Sequence, residues 1–520
     1  LLVTFRKDFG NDIKTTLLVG NNLNHRYDQD LFSRGRDLGA PGNYNLNNAA
    51  NLYSSEANTT IRTAAMLFDF NASYKNYLFL GVSGRNEWAS TFGSAKNNFF
   101  YPSANIALVF SELVKIPMMS FGKVRFAYAQ AGISPQPYRT KTYYTRSTYT
   151  DGFTGGLSFP YLGGNGYGYS PRIGNDALKP EKNTGIEIGG DLRFLENRLG
   201  IDVTYYNQKS TDLLVDRPVA PSTGFAYFYT NAGSMTNKGI ELILTGTPIK
   251  LKDFSWEVQV NYARNRNEVL ELGEDIKEIS LEAGFSSMGA YAIKGLPYGV
   301  LYGTRWDRTS NGEFIIGANG LPRIATERGQ IGNPYPLWYG GIRNSFSYKS
   351  FSFTFLWDIR VGGSVWNGTW ARLNNIGRTE ESSEGREKTY IIPGVKVVST
   401  NPDGSEVYAT NDILVSAFNY FRTYKGDAGN YAAENAIQDG GWVRLRDASL
   451  SYRFNLAGKL ARTIKGLEVT VTGRNLLLFT DYTGVDPETS LTGAGSNIGG
   501  WDYFNNPSTK SYTFALKANF

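Results

Sequence analysis

Cysteine is absent from this chain of 520 residues, and histidine occurs only once, at His25. These two counts exclude disulfides, zinc sites built on thiolates, iron–sulfur clusters and the Cys–His and Ser–His arrangements of nucleophilic catalysis. They argue against most classes of enzyme. We predict a protein that is not an enzyme and that requires no metal and no cofactor.

Charged residues are scarce, at 19% of the chain, compared with about 25% in an average soluble domain. The 53 basic and 47 acidic side chains are mixed along the sequence, so no basic stripe could follow a phosphate backbone. Nucleic-acid binding is therefore not expected.

Long hydrophobic runs are also missing. The longest, near Ile106–Phe110 and Leu476–Phe479, fall far short of the roughly 18 apolar residues that a membrane-spanning helix needs. This pattern excludes a helical membrane protein and leaves a membrane β-barrel open.

The chain begins with leucine and without a signal peptide, which we interpret as a processed or truncated start.

Apolar and polar residues alternate throughout the chain, which is rich in aromatic residues (14%) and glycine (58 residues). Near the end, Tyr512, Phe514, Leu516 and Phe520 share one face of a predicted strand, and mostly polar residues lie between them. A period of two indicates strands whose two faces contact different solvents. Similar alternation occurs at 186–194, 256–262, 351–360 and 467–474.

Connector lengths distinguish a membrane barrel from a soluble sandwich, because outer-membrane barrels alternate tight periplasmic turns with long outer loops. Short and long connectors alternate in this way along the sequence. We predict an all-β chain of about 15 antiparallel strands in a transmembrane barrel. The predicted long outer loops cover 25–61, 132–183, 211–237, 267–336, 363–440 and 480–510.

An odd number of strands implies that part of the barrel lies outside this sequence, because single-chain bacterial barrels have even strand numbers. We therefore interpret residues 1–520 as the C-terminal portion of a larger barrel. The segment 298–306 has the composition of a strand, but counting it would change the parity, so we assign it to an outer loop.

Several short segments carry a family resemblance through their order and spacing. They are 101–105 (YPSAN), 121–128 (FGKVRFAY), 178–182 (LKPEK), 231–241 (NAGSMTNKGIE), 442–452 (WVRLRDASLSY), 473–476 (GRNL), 481–488 (DYTGVDPE) and the terminal aromatic strand. Together they resemble the SusC/RagA-type TonB-dependent outer-membrane transporters of Bacteroidetes. One departure is 506–510 (NPSTK), where such proteins more often carry an arginine.

The resemblance implies a barrel of about 22 strands, of which these are the last fifteen, in the lipid of the bacterial outer membrane. It implies a plug domain and a TonB-contacting N-terminal region that are not in this sequence. It also implies a SusD-type surface lipoprotein as a lid over the outer loops.

Two groups of residues are candidate functional positions. Tyr512, Phe514, Leu516 and Phe520 resemble the signal that the outer-membrane assembly machinery reads, or they are only the lipid-facing side of the last strand. Aromatic rings in the long loops are candidate substrate contacts, because flat rings stack on sugars and peptide side chains. The alternative is that they pack the loops on themselves or on a partner. These candidates are Tyr143, Tyr144, Tyr149, Phe153, Trp366, Trp370, Trp501 and Tyr503.

The acidic residues Asp481, Asp486 and Glu488 lack the spacing of a calcium loop, and we predict a turn at 486–488 instead.

The leading functional hypothesis is active import of an oligomeric nutrient, with glycan as the first choice of cargo and oligopeptide as the second. The alternative is a passive porin or a structural barrel that serves as a scaffold.

Overall fold

The computed structural model describes residues 1–94, 96–149, 156–273, 276–429, 431–458, 463–493 and 495–520. A single antiparallel sheet of 15 strands contains most of the regular structure, and its strands follow one another in chain order. This is the number of strands that the sequence predicts. They are β1 (Leu2–Phe9), β2 (Ile13–Leu38), β3 (Ala49–Tyr74), β4 (Leu78–Ala89), β5 (Asn98–Leu108), β6 (Met119–Ile133), β7 (Glu181–Phe194), β8 (Leu199–Thr211), β9 (Ser234–Lys250), β10 (Phe254–Glu271), β11 (Trp338–Tyr348), β12 (Phe351–Val361), β13 (Trp442–Phe454), β14 (Gly466–Phe479) and β15 (Ser511–Asn519).

The alternation of the sequence becomes two chemically different faces of this sheet. Across β11 to β15, the register aligns one apolar side chain from each strand in a single row. Aromatic and branched side chains pack well in such cross-strand rows, which stabilises the pairing. The row consists of Phe346, Phe353, Leu450, Val471 and Phe514.

The hairpin of β2 and β3 corrects the predicted loop at 25–61. Each strand is 26 residues long, and the pairing continues from Ile13 opposite Tyr74 to Leu38 opposite Ala49. The connector is therefore only 39–48. Both faces of the outer half of this hairpin are largely exposed and carry many polar residues, so the apolar–polar alternation that marks a strand is missing there.

Short elements fill the long connectors. Val300–Gly303 belongs to one of their small sheets and not to the large sheet, which confirms that 298–306 is part of a loop. The short strands are Tyr144–Arg146, Thr148–Tyr149, Leu157–Ser158, Tyr167–Tyr169, Arg172–Ile173, Leu214–Pro218, Tyr227–Asn231, Glu278–Phe285, Met288–Ile293, Val300–Gly303, Ile315–Ile316, Gly329–Gly332, Ser364–Asn367, Thr389–Tyr390, Val395–Thr400, Glu406–Thr410, Val415–Ser416, Ile437–Asp439 and Trp501–Asp502.

In the part of the chain that the structure describes, the helices with assigned bounds are few and short. The α-helices among them are α1 (Gly368–Asn375), α2 (Glu380–Glu384) and α3 (Ala417–Asn419), and a π-helix follows at Tyr420–Lys425. Turns of 3-10 helix occur at Leu46–Asn48, Phe110–Glu112, Pro221–Thr223 and Ala433–Ala436. Among the described residues, no helix has the length and apolar character needed to cross a membrane.

Two compact units make up the chain. The first comprises Leu1–Leu113, Val124–Ile188 and Gln208–Ser234, and the second comprises Val114–Lys123, Gly189–Asn207 and Met235–Phe520. Several of the largest fully buried side chains of the second unit, among them Trp366, Trp501 and Met288, lie in its connectors, whereas Arg444 and Val269 of the same set lie on β13 and β10. The connectors of the second unit therefore have a hydrophobic core of their own.

Candidate functional site

The connectors after β10, β12 and β14 contribute to one buried cluster in the second unit. We call this cluster the loop core; it contains Met288, Ala290, Leu301, Trp366, Ala371, Ala433, Ala436 and Trp501. The strand Ser364–Asn367 pairs in parallel with Trp501–Asp502, and this pairing sets Trp366 opposite Trp501. Two loop segments more than a hundred residues apart in sequence are thereby joined.

Trp366 and Trp501 are each only 1% exposed. Two glycines permit this burial: a Cβ at Gly284 would lie 2.1 Å from the Trp501 ring, and one at Gly368 would lie 2.3 Å from the Trp366 ring. Such distances are impossible for a real side chain. Neither indole has a free face for a ligand, so these two candidates follow the packing alternative.

Trp370 and Tyr503 are half-buried at the edge of the loop core. Trp370 is in the first turn of α1, where its backbone N–H donates to Asn367 Oδ1 at 2.8 Å and caps the helix. Lys425 Nζ is 5.6 Å from the centroid of the Trp370 ring. Arg372 Nε donates to Tyr503 Oη at 3.4 Å. Both aromatic candidates are fixed in place while part of each ring reaches the surface.

A buried carboxylate secures the segment that carries Tyr503. Asp502, 1% exposed, accepts hydrogen bonds from Tyr482 Oη at 2.5 Å and from Thr369 Oγ1 at 2.9 Å. Burial, and then the bond to Asp502, raise the pKa of Tyr482 far above its ordinary value. The phenol therefore remains a hydrogen-bond donor at all physiological pH values.

Arg444 and Asp486 form a buried ion pair that sequence reasoning missed. Their side chains are 2% and 1% exposed, and Arg444 Nη2 is 2.7 Å from Asp486 Oδ1. Ser508 Oγ also donates to Asp486, and Glu488 N donates to Asp486 Oδ1 at 2.9 Å, which confirms the predicted turn at 486–488. Burial alone would raise the pKa of Asp486, but the hydrogen bonds from Arg444 and Ser508 lower it overall.

Arg446 links the connector after β14 to a neighbouring strand of the large sheet. Its guanidinium donates to Asp358 Oδ2 of β12 at 2.6 Å and to Glu488 Oε2 of the last connector at 2.9 Å. Arg446 lies on β13, as Arg444 does, so two arginines of one strand hold the connector that carries Trp501. The only sequence signals were the charged residues within the segments 442–452 and 481–488.

The described residues contain no cluster of His, Asp and Glu that could hold a metal ion.

The tyrosine candidates of the first unit are exposed, in contrast to the buried Trp366 and Trp501. Strands Tyr144–Arg146 and Tyr167–Tyr169 pair so that Tyr144 lies opposite Tyr169. Their rings stack with centroids 4.5 Å apart and an angle of 26°, and their hydroxyls hydrogen-bond at 2.9 Å. The two tyrosines, which we call the tyrosine platform, are 62% and 60% exposed. Tyr143 and Tyr149 are also exposed, and Phe153 lies outside the described residues.

A cavity of about 350 Å³ lies in the connector between β12 and β13. Phe418 and Phe421 supply apolar walls, and the guanidinium groups of Arg386 and Arg422 lie at the same cavity. Among the described residues that line it, none is acidic. This cavity was not apparent from the sequence, because its walls come from short helices separated by many residues.

The apolar residues of the last strand are on the surface. Tyr512, Phe514, Leu516 and Phe520 are between 66% and 77% exposed. Their exposure is compatible both with contact to lipid and with the predicted assembly signal, and the signal role stays a prediction.

Comparison with known proteins identifies the family. The family model described as "TonB dependent receptor-like, beta-barrel" matches residues 3–476. The TonB-dependent receptor P3 of Formosa agariphila is 26% identical over 486 residues, covering 86% of this chain and 45% of that protein. The TonB-dependent receptor SusC of Bacteroides thetaiotaomicron is 26% identical over 335 residues, covering 61% of this chain and 30% of that protein.

A solved structure described as the RagAB peptide transporter has the same fold. It matches with a TM-score of 0.76 at 19% identity, covering 100% of this chain and 55% of that chain. The chain thus spans about half the length of the first relatives it matches, P3 among them. The resemblance to SusC/RagA-type proteins that the sequence predicts is confirmed, and the chain belongs to the TonB dependent receptor-like β-barrel family.

Proposed function

We propose that the chain is part of an active importer of oligomeric nutrients in the bacterial outer membrane, energised through TonB. The family match over residues 3–476 carries this proposal. The two faces of β11 to β15 support it, because a wall between lipid and water needs one apolar and one polar side. Import of this kind binds and releases cargo without breaking a covalent bond, so the protein is not proposed to be an enzyme.

Within the whole protein, residues 1–520 would form the C-terminal part of a barrel of about 22 strands that encloses a plug domain. Relatives about twice as long support this assignment, since the chain covers 45%, 52% and 48% of three of them. The plug and the segment that contacts the TonB complex would belong to the remaining part. Movement of the plug would open a wet lumen.

Glycan is the first choice of cargo. The tyrosine platform supports this choice, because its two stacked rings are exposed and flat aromatic faces pack against sugar rings. Tyr143, Tyr149, Trp370 and Tyr503 are further candidate contacts with an accessible ring surface. Trp366 and Trp501 would act indirectly, by holding Trp370 and Tyr503 in position.

Oligopeptide is the second choice of cargo. The cavity beside Phe418 and Phe421 would accept an apolar side chain, and Arg386 and Arg422 would bind a neighbouring carboxylate. The structural relative is itself described as a peptide transporter. These observations favour a peptide at this cavity, whereas the tyrosine platform favours a sugar.

The proposed partners are a SusD-type surface lipoprotein, which would cover the long connectors as a lid, and the TonB complex. The lid would trap cargo against exposed rings such as Tyr144 and Tyr149. The competing hypothesis is a passive porin or a structural barrel used as a scaffold, for which neither partner is needed.

Uptake measurements separate these hypotheses. Cells carrying the complete gene are given labelled oligosaccharides or oligopeptides, with and without an uncoupler of the inner-membrane proton gradient, and a deletion strain is the control. The proposal predicts uptake that requires both the gene and the gradient. Uptake that persists in the uncoupled cells would support the porin hypothesis. Equal uptake by the cells with the gene and by the deletion strain would contradict both importer and porin and support the scaffold hypothesis.

A further inference from the structure

Strands β11 to β15 carry two consecutive rungs of hydroxyl side chains on the face opposite their apolar row. The first rung runs through Ser345, Thr354, Ser449, Thr472 and Thr513, one residue from each strand.

The second rung lies two residues further along each strand. It runs through Ser347, Ser352, Ser451 and Thr470 and ends at Ala515. We call the two rungs together the hydroxyl face. Strands are about 4.8 Å apart and rungs about 6.8 Å apart, so the face measures about 19 Å by 7 Å.

The hydroxyls bond to one another across the strands and still have capacity for a ligand. Ser449 Oγ and Thr472 Oγ1 are 2.7 Å apart, and Ser451 Oγ and Thr470 Oγ1 are 2.8 Å apart. A hydroxyl has one donor and two acceptor positions, so a pair that shares one hydrogen bond keeps a donor and several acceptors. None of the side chains on the face is buried.

The face contains no charged side chain, yet charged rungs border it on both sides. Towards the short turns, the next rung contains Arg453, Glu468 and Lys517. Towards the long connectors, Asp447 lies opposite Arg474. The uncharged character therefore ends abruptly at both borders of the face.

Open space adjoins the hydroxyl face. Ser347, Ser352 and Ser451 line a cavity of about 600 Å³ together with charged residues of the bordering rung and turns, such as Arg453 and Glu468. Ser345 lies at the edge of another cavity, of about 350 Å³, whose walls include Arg343 and Glu257. Both volumes fall in the range of roughly 300–1,000 Å³ that small-molecule sites occupy. Within residues 1–520, each side chain of the face keeps part of its surface exposed.

Cross-strand hydroxyl pairs also occur simply because they stabilise a sheet. That role requires only an isolated pair, such as Ser83 and Ser103 on β4 and β5, whose Oγ atoms are 2.6 Å apart and which lie beside Asp69. Stabilisation does not require two complete rungs without charge. The extended neutral face of β11 to β15 needs a further explanation.

We propose that the hydroxyl face is the wall along which a neutral oligosaccharide moves during import. This inference rests on the proposed function and specifies the cargo within it. Cargo hydroxyls, wall hydroxyls and water exchange hydrogen bonds of similar strength, so the cargo advances without breaking an ion pair. A charged peptide would instead be held by the rungs that border the face.

The test is the double substitution Ser449→Ala with Thr472→Val in the complete protein, which removes one hydroxyl pair and nearly preserves side-chain volume. We expect the maximal uptake rate of a labelled neutral oligosaccharide, per folded receptor at the cell surface, to fall about fivefold. The half-saturation concentration should not change, since capture occurs on the connectors. The conservative variant Thr472→Ser should keep the wild-type rate.

The matched control is Ser83→Ala with Ser103→Ala, which removes an equivalent pair outside the face and should leave uptake unchanged. Equal rates for the test variant and this control would overturn the proposal. So would unchanged import combined with new passage of small antibiotics in the test variant, because the face would then be a seat for the plug. Failure of the wild type to import any neutral oligosaccharide would instead contradict the proposed glycan import itself.

Discussion

The loop core of the second unit and the tyrosine platform of the first unit are built from the same kind of residue with opposite results. Trp366 is 1% exposed, whereas Tyr144 is 62% exposed. In the loop core, glycines allow the rings to pack closely, and buried carboxylates fix the surrounding segments. In the platform, two paired short strands place two stacked rings that remain more than half exposed. Aromatic residues in a long connector therefore divide into those that hold it and those that it presents.

Replacement of a loop-core ring should have the largest effect. Trp501→Ala removes a buried indole, and we expect a loss of about 4 kcal/mol in the stability of the connectors. Hydrogen exchange of backbone amides in 363–377 and 500–504 measures this loss. Tyr149→Ala is the matched control, since Tyr149 is 64% exposed, and should leave exchange unchanged. Equal protection in both variants would show that the loop core does not hold these connectors.

Removal of one partner of the buried ion pair should have the next largest effect. Arg444→Met leaves the Asp486 carboxylate buried without its cation, and we expect a cost of about 3 kcal/mol. Limited proteolysis within 480–510 reports the loosened connector. Arg193→Met breaks a pair with Asp191 in which the arginine side chain is 51% exposed, and should cost less than about 1 kcal/mol. Similar cleavage of the two variants would contradict the claim that Arg444 holds this connector.

Acid should loosen the same connector through Asp486. The pKa of Asp486 is lowered in the folded protein, so its carboxylate contributes stability above its ordinary pKa of 3.8. That contribution is lost as the pH falls through the lowered folded-state value. Thermal melts in detergent at decreasing pH follow this loss, and Asp486→Asn should remove this part of the acid dependence. An identical acid profile for the variant and the wild type would exclude Asp486 as its source.

Substitution on the platform should have the smallest effect on stability while acting on cargo. Tyr144→Ala exposes no core and should leave the melting temperature unchanged, but loss of a stacking face should weaken oligosaccharide binding about fivefold. Titration of the lid-free protein with the imported oligosaccharide provides the measurement. Trp366→Ala should show the reverse pattern, because it lowers the stability of the loop core and would affect binding only through that loss. Unchanged affinity for Tyr144→Ala would assign the platform to packing against a partner.

The sequence predicts those parts of the fold in which each strand has two different faces. The number of strands in the large sheet and the loop position of 298–306 follow from this alternation and from parity. The outer half of the β2–β3 hairpin could not be recognised, because both of its faces are exposed and its polar residues remove the period of two.

The candidate site was only partly predictable for a different reason. Composition identifies aromatic residues in connectors, but burial depends on neighbours that are distant in sequence, such as Gly284 beside Trp501. The pairing of Arg444 with Asp486 likewise joins positions that share no local pattern. Tyr144 and Tyr169, by contrast, are only 25 residues apart, and the register of their two short strands places the rings together.

The most direct test of the central claim, a wall with lipid on one side and water on the other, uses the absence of cysteine from this chain. Phe353→Cys and Thr354→Cys place a fluorophore at adjacent positions of β12, in the complete protein with any other cysteine replaced and reconstituted into bilayers. The account predicts that nitroxide-labelled lipids quench the fluorophore at 353 and not at 354, and that a water-soluble quencher does the reverse. Equal quenching at the two positions by either reagent would contradict it.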